Sequence, residues 1–99
     1  EHAPMVVLLR PGVVAIHDGG GVTKRFFVSG GFAEVRPEGL ILLTEEGMDL
    51  GEVGREAAAT RLDSAQRDLA DVAEDGPVKE RAERSVKVAE ALVEAVEAA

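Results

Sequence analysis

Apolar and polar positions follow two different rhythms along this chain, and the change falls between Gly47 and Gly54. Upstream, short apolar runs are separated by turn residues. They predict strands near Met5 to Arg10, Gly12 to His17, Val22 to Ser29, Phe32 to Arg36 and Leu40 to Thr44. Pro11-Gly12, Asp18-Gly19-Gly20-Gly21, Gly30-Gly31 and Pro37-Glu38-Gly39 connect them, because proline fixes φ and glycine accepts positive φ in tight reversals. Five short strands at this spacing indicate an antiparallel sandwich or barrel. A run such as Val6 to Leu9, apolar at every position, further predicts a strand covered on both faces.

Downstream the period lengthens. Ala58, Leu62, Ala65, Leu69 and Val72 recur at alternating steps of four and three, and so do Val78, Ala82, Ser85, Ala89, Leu92 and Val96. Each set is one apolar stripe on a helix, of the width that seals a helix pair. Glu74-Asp75-Gly76-Pro77 breaks the pattern, with Pro77 suited to the first position of the second helix, so an antiparallel hairpin is predicted. Asp49 and Glu52 have the spacing of a capping box for the first helix. Asp63 with Arg67, Glu80 with Arg84 and Glu83 with Lys87 are acid-first pairs four residues apart, each contributing about 0.3–0.5 kcal/mol on an exposed face. The seam contains mostly Ala and Val, which bury less apolar area than Leu, so the two helices should hold each other weakly. The expected organisation is a β-sandwich over 1–46, a linker over 47–53 and a helical hairpin over 54–99.

Composition mainly removes alternatives. Eleven Lys and Arg against 19 Asp and Glu give a net charge of −8, which opposes binding to nucleic acid or to anionic lipid. There is no cysteine, hence no disulfide, thiol nucleophile or Cys-based zinc site. The apolar runs fall well short of the roughly 20 residues that span a bilayer, and no secretory leader pattern is present. No direct membrane insertion is expected. The only histidines, His2 and His17, have no metal-ligand spacing, and His17 beside Asp18 reads as a turn residue. None of the serines Ser29, Ser64 and Ser85 lies in a nucleophile elbow, and neither glycine cluster is followed by Lys-Ser/Thr or opens a helix. The chain is therefore expected to catalyse nothing, to hold no metal and to need no cofactor.

Three blocks are more specific. Glu1-His2-Ala3-Pro4-Met5, Leu9-Arg10-Pro11-Gly12-Val13 and Phe27-Val28-Ser29-Gly30-Gly31-Phe32-Ala33-Glu34-Val35 occur in this order. They resemble the Gly-His-Ala-Pro turn, the Leu-Lys/Arg-Pro-Gly turn and the Val-Ser-Gly-Gly-Phe segment of the F-type ATP synthase epsilon subunit. Leu40 to Thr44 is similar to that family's last sandwich strand, and the two-helix tail to its C-terminal domain, so the resemblance covers nearly all of the chain. It departs at Glu1, where glycine is usual. The family's sandwich also begins several strands before the His-Ala-Pro turn, so upstream strands are expected in the natural protein. A generic sandwich-and-hairpin interaction module would share the fold without needing those turns.

The resemblance implies a non-catalytic rotor component at the cytoplasmic face of the bacterial inner membrane, peripheral to it. Its sandwich would couple the gamma subunit to the polar loops of the c-ring, with His2, Ala3 and Met5 near the contact. The hairpin would either fold on the sandwich or extend toward the alpha/beta catalytic head and inhibit ATP hydrolysis, with Arg81, Arg84 and Lys87 on the second helix as regulatory candidates. Some members bind ATP through Ile/Leu-Asp-x-x-Arg-Ala on the first helix. Here Leu62-Asp63 is followed by Gln66 at the arginine position, and Arg67 arrives one residue late, about 100° around the helix. Glu90 and Glu94 add negative charge to the second helix. Nucleotide binding is therefore not expected.

Overall fold

The computed structural model describes residues 5–98, the side chain of residue 18 excepted. All five predicted strands form: β1 (Met5–Leu9), β2 (Gly12–Asp18), β3 (Gly21–Val28), β4 (Gly31–Arg36) and β5 (Gly39–Thr44). A sixth, β6 (Gly47–Asp49), continues directly from them. The segment 47–53, read from sequence as a linker, thus holds a strand and a 3-10 turn, Leu50–Glu52. The reason is tertiary: Met48 pairs opposite Phe27 and Gly47 opposite Val28, so the chain stays extended against β3. That pairing also rules out the expected capping box. Asp49 caps the 3-10 turn, accepting from the Gly51 N–H at 2.9 Å, whereas the first helix starts six residues later behind Gly54 with no side-chain cap.

Every strand pairing is antiparallel, in two three-stranded sheets ordered β1-β4-β5 and β2-β3-β6. Because side chains alternate between faces, register assigns them. In the first sheet, Met5, Val35 and Leu40 share a face, while Leu8, Phe32 and Leu43 share the other. Leu40 and Leu42 line a cavity of about 470 Å³ whose opposite wall is Val14, Ile16, Phe26 and Val28 of the second sheet, so the Leu40 face is the inner one. The outer face lacks any cover from the described residues: Val6, Leu8, Phe32, Ile41 and Leu43 are 42–76% exposed. β1 is therefore not covered on both sides as its continuous apolar run predicted. The strand that is covered on both is β3, and only at its C-terminal end, where Phe26 turns toward the cavity and Phe27 to the opposite side, into the helices.

The helices α1 (Arg55–Ala70) and α2 (Pro77–Ala98) form the hairpin, with Pro77 opening α2 as its fixed φ predicts. Val72, placed in the α1 stripe by sequence, falls beyond the helix, which Asp71 terminates. One core joins hairpin to sandwich: Phe27, Leu50, Ala58, Val88, Leu92, Ala95 and Val96 are all buried together, with Met48 and Val53 packed against them. Val88 and Ala95 lie off the predicted stripe. The buried arc of α2 is wider than a helix-pair seam because this helix packs on α1 and on the second sheet at once. The layers are thus hairpin, second sheet, first sheet, and the outer face of the first sheet remains open.

Candidate docking face and hairpin junction

The open face is built by register. Val6 stands opposite Glu34 and Ile41, and Leu8 opposite Phe32 and Leu43, so two apolar rows run across three strands. Glu34 and Arg36, two residues apart on β4, project to the same side and pair at 2.9 Å. A flat apolar patch bordered by charge is what a protein partner covers, since water is readily displaced from it and a polar rim fixes orientation. Of the residues that sequence placed at the partner contact, His2 and Ala3 lie outside the described residues. Met5 is exposed, but it shares the inner face with Val35 and Leu40.

The second candidate lies where the hairpin meets the sandwich. Glu46, in the turn between β5 and β6, accepts two hydrogen bonds from Arg61 of α1, Nη1 to Oε2 at 2.9 Å and Nη2 to Oε1 at 2.8 Å. The planar guanidinium matches both carboxylate oxygens, a geometry Lys cannot provide. The Glu46 backbone is fixed as well, its carbonyl accepting from the Ser29 N–H at 3.0 Å. Thr44 Oγ1, 2.6 Å from the Gly30 carbonyl, ties the same turn to the β3–β4 connection. Hydrogen bonding from Arg61 holds the Glu46 carboxyl below the usual carboxylate range; partial burial opposes this, and the neighbouring positive charge adds to it. The same bond raises Arg61.

This ion pair forms one wall of an open cavity of about 690 Å³ reached also by Arg81, Arg84 and Ser85 of α2, with Glu45 and Ser29 from the sandwich. Two of the regulatory candidates, Arg81 and Arg84, are therefore brought together here, while Lys87 does not line the cavity. Sequence had assigned Arg84 to Glu80 and Lys87 to Glu83, but among the described residues neither pair forms. Asp63 and Arg67 do pair, at 2.8 Å, on the exposed side of α1 and away from the cavity. Arg61, six residues earlier on the same helix and about 120° around it, faces the junction instead. Neither Glu46 nor Arg61 was marked by sequence reasoning. They are 15 residues apart, across a strand and a 3-10 turn, and no periodicity links such positions.

Among the described residues no helix is long and apolar enough to cross a membrane. Comparison with known proteins identifies relatives of both halves of the chain. Residues 1–49 match the family described as ATP synthase, Delta/Epsilon chain, beta-sandwich domain. The ATP synthase epsilon chain of Paramagnetospirillum magneticum is 46% identical over 95 residues, 96% of this chain and 71% of the relative. That of Rhodospirillum rubrum is 38% identical over 95 residues, again 96% of this chain and 70% of the relative. Among solved structures, a chain of the Euglena gracilis mitochondrial ATP synthase, determined by cryo-EM as OSCP/F1/c-ring in rotational state 1, superimposes with a TM-score of 0.69 at 29% identity. The match covers 92% of this chain and 56% of that one.

Proposed function

This chain belongs to the ATP synthase epsilon-chain family, and from that premise we propose that it acts as a non-catalytic central-stalk subunit of the F-type ATP synthase. The observation that carries the reading is the reach of the likeness: it spans sandwich and hairpin together, across 95 residues of both relatives named above. A protein with this role needs surfaces rather than a reaction centre. In the proposed arrangement the sandwich couples gamma to the polar loops of the c-ring at the cytoplasmic face of the membrane.

The gamma contact is assigned to the outer face of the first sheet. It offers Val6, Leu8, Phe32, Ile41 and Leu43 to a partner, and the segment carrying His2 and Ala3 leads into the same strand in sequence. Met5, on the opposite side of β1, is left out of this contact. Leu8 is the most exposed of the group. A charge placed there would be stranded against a desolvated apolar contact, and a residue that anchors an interface accounts for about 2 kcal/mol or more of binding, a factor of about 30. Leu8→Asp in the whole subunit should therefore weaken association with isolated gamma by at least about tenfold in a pull-down titration or by calorimetry, with the far-ultraviolet dichroism unchanged. Unaltered affinity would remove this face from the contact.

The hairpin is proposed to regulate. It is docked here through an Ala- and Val-rich seam and one shared core, a packing that a second conformation can match within a few kcal/mol. Truncation after Gly54 should leave assembly intact and raise latent ATP hydrolysis by the complex. Hydrolysis unchanged by the truncation would make the hairpin purely structural. Nucleotide is not part of the proposal, because Asp63 and Arg67 are engaged with each other on the solvent side of α1.

A further inference from the structure

The junction holds more than one kind of contact. Apolar side chains of both helices pack on Phe27, Leu50 and Met48, but a buried apolar cluster has no directional preference. The one ion pair that crosses from sandwich to hairpin among the described residues is Glu46 with Arg61. Its two hydrogen bonds, at 2.8 and 2.9 Å, need the turn 44–46 and the face of α1 to be in register. The turn is held there independently of the hairpin, by the Ser29 N–H on the Glu46 carbonyl and by Thr44 on Gly30.

We propose that Glu46 and Arg61 form an electrostatic latch that sets how often the hairpin leaves the sandwich. This rests on the reading that the hairpin undocks, and it adds which contact governs the equilibrium. The surroundings fit a latch better than a passive surface pair. From the sandwich, Glu45 and Glu46 face the junction; from the hairpin, Arg61 of α1 and Arg81 and Arg84 of α2 face it, with Ser29 and Ser85 between them. Two acids on one body thus oppose three bases on the other. Undocking breaks a bidentate pair and separates two oppositely charged groups, whereas redocking in a shifted register would leave the Arg61 fork unmatched. Each partner is more than a third exposed, so water and salt reach the pair and can compete for it. The latch is consequently a modest and tunable bias on the docked state, not a lock.

These 99 residues contain no cysteine, so a thiol introduced among them reports on its own position. In the whole subunit, Ala58→Cys places a thiol in the core shared by sandwich and hairpin, and Ala89→Cys places one at a buried position outside that core. The rate of modification by a thiol reagent, under conditions where closing is faster than labelling, reports the open fraction at each site. Glu46→Gln and Arg61→Gln should each raise labelling at Ala58→Cys by about 2- to 5-fold, as expected for a partly exposed but well-aligned pair. The double variant should raise it no further than either single one, and Ala89→Cys should be little affected. In the background with both native charges, raising the salt should accelerate labelling at Ala58→Cys, and lowering the pH through the carboxylate range should raise it relative to an unprotected thiol labelled at the same pH, since the thiolate is the reacting form; the double variant should lack both effects. Rates insensitive to both substitutions, additive effects in the double variant, or equal rises at the two sites would overturn the latch while leaving undocking in place. No labelling at Ala58→Cys in any variant would overturn undocking itself, and the latch with it.

Discussion

Replacing Phe27 with Ala is expected to lower the stability of the fold by about 3–5 kcal/mol, the range for deleting a fully buried aromatic side chain. Phe27 is 0% exposed and sits on the centre strand of its sheet, between β2 and β6, pointing into the core it shares with Leu50, Ala58, Val88 and Leu92. Its removal therefore takes contacts from both bodies at once. Small side chains surround much of the site, and Ala58 and Ala95 have no atoms with which to fill the space, so the cavity term adds to the lost transfer free energy. Urea unfolding followed by circular dichroism should show a lower midpoint, and the helices should become accessible to protease at lower denaturant. The neighbouring Phe26 provides the contrast. It is half-buried and lines the open inter-sheet cavity, so Phe26→Ala should have the smaller effect. Equal losses at the two positions would mean that the core shared with the hairpin contributes no more to stability than the open inter-sheet side.

Gly31→Ala should be comparably damaging, for a backbone reason. Gly31 opens β4 at φ 130°, in the region that disfavours L side chains, and stands opposite Thr44 of β5. A Cβ there would overlap the Leu43 carbonyl oxygen and come within 3.0 Å of the Thr44 Cα. Neither obstacle is the end of a flexible side chain, so relief requires β5 to move. Conformational strain of about 1–3 kcal/mol and a steric term of about 1–3 kcal/mol together predict a fall in melting temperature of more than about 10 °C. The shift would also pull Thr44 from Gly30 and so loosen the turn that presents Glu46. Gly21→Ala is the matching control, since a Cβ at Gly21 meets nothing within 4 Å and its φ is not in the positive region; a change within about 0.5 kcal/mol is expected there. If both variants melt together, the close approach of β4 and β5 at Gly31 is not maintained in solution.

Local pattern determined a good deal of this protein. The turn chemistry of Pro11-Gly12 and Gly30-Gly31 punctuates strands that form where alternation and run length place them, and Pro77 opens a helix because its fixed φ suits that position and its missing N–H is not needed there. The Val-Ser-Gly-Gly-Phe block and its companions pointed to the family directly, since such turns carry specific residues and survive as short strings. The Asp63–Arg67 pair was also legible, both residues being on one helix and four apart. What the sequence did not disclose lies between elements. β6 exists because the edge of β3 was available to Met48, and that decided against the capping box and the linker alike. The second buried flank of α2, with Val88 and Ala95, exists because a sheet lies under the helix. The Glu46–Arg61 clasp depends on the path of a strand and a 3-10 turn that bring a loop acid to one face of α1. Periodicity reports on side chains that share an element; which elements meet, and with which faces, is decided by the burial of apolar surface over the whole fold, and only the tertiary structure shows it.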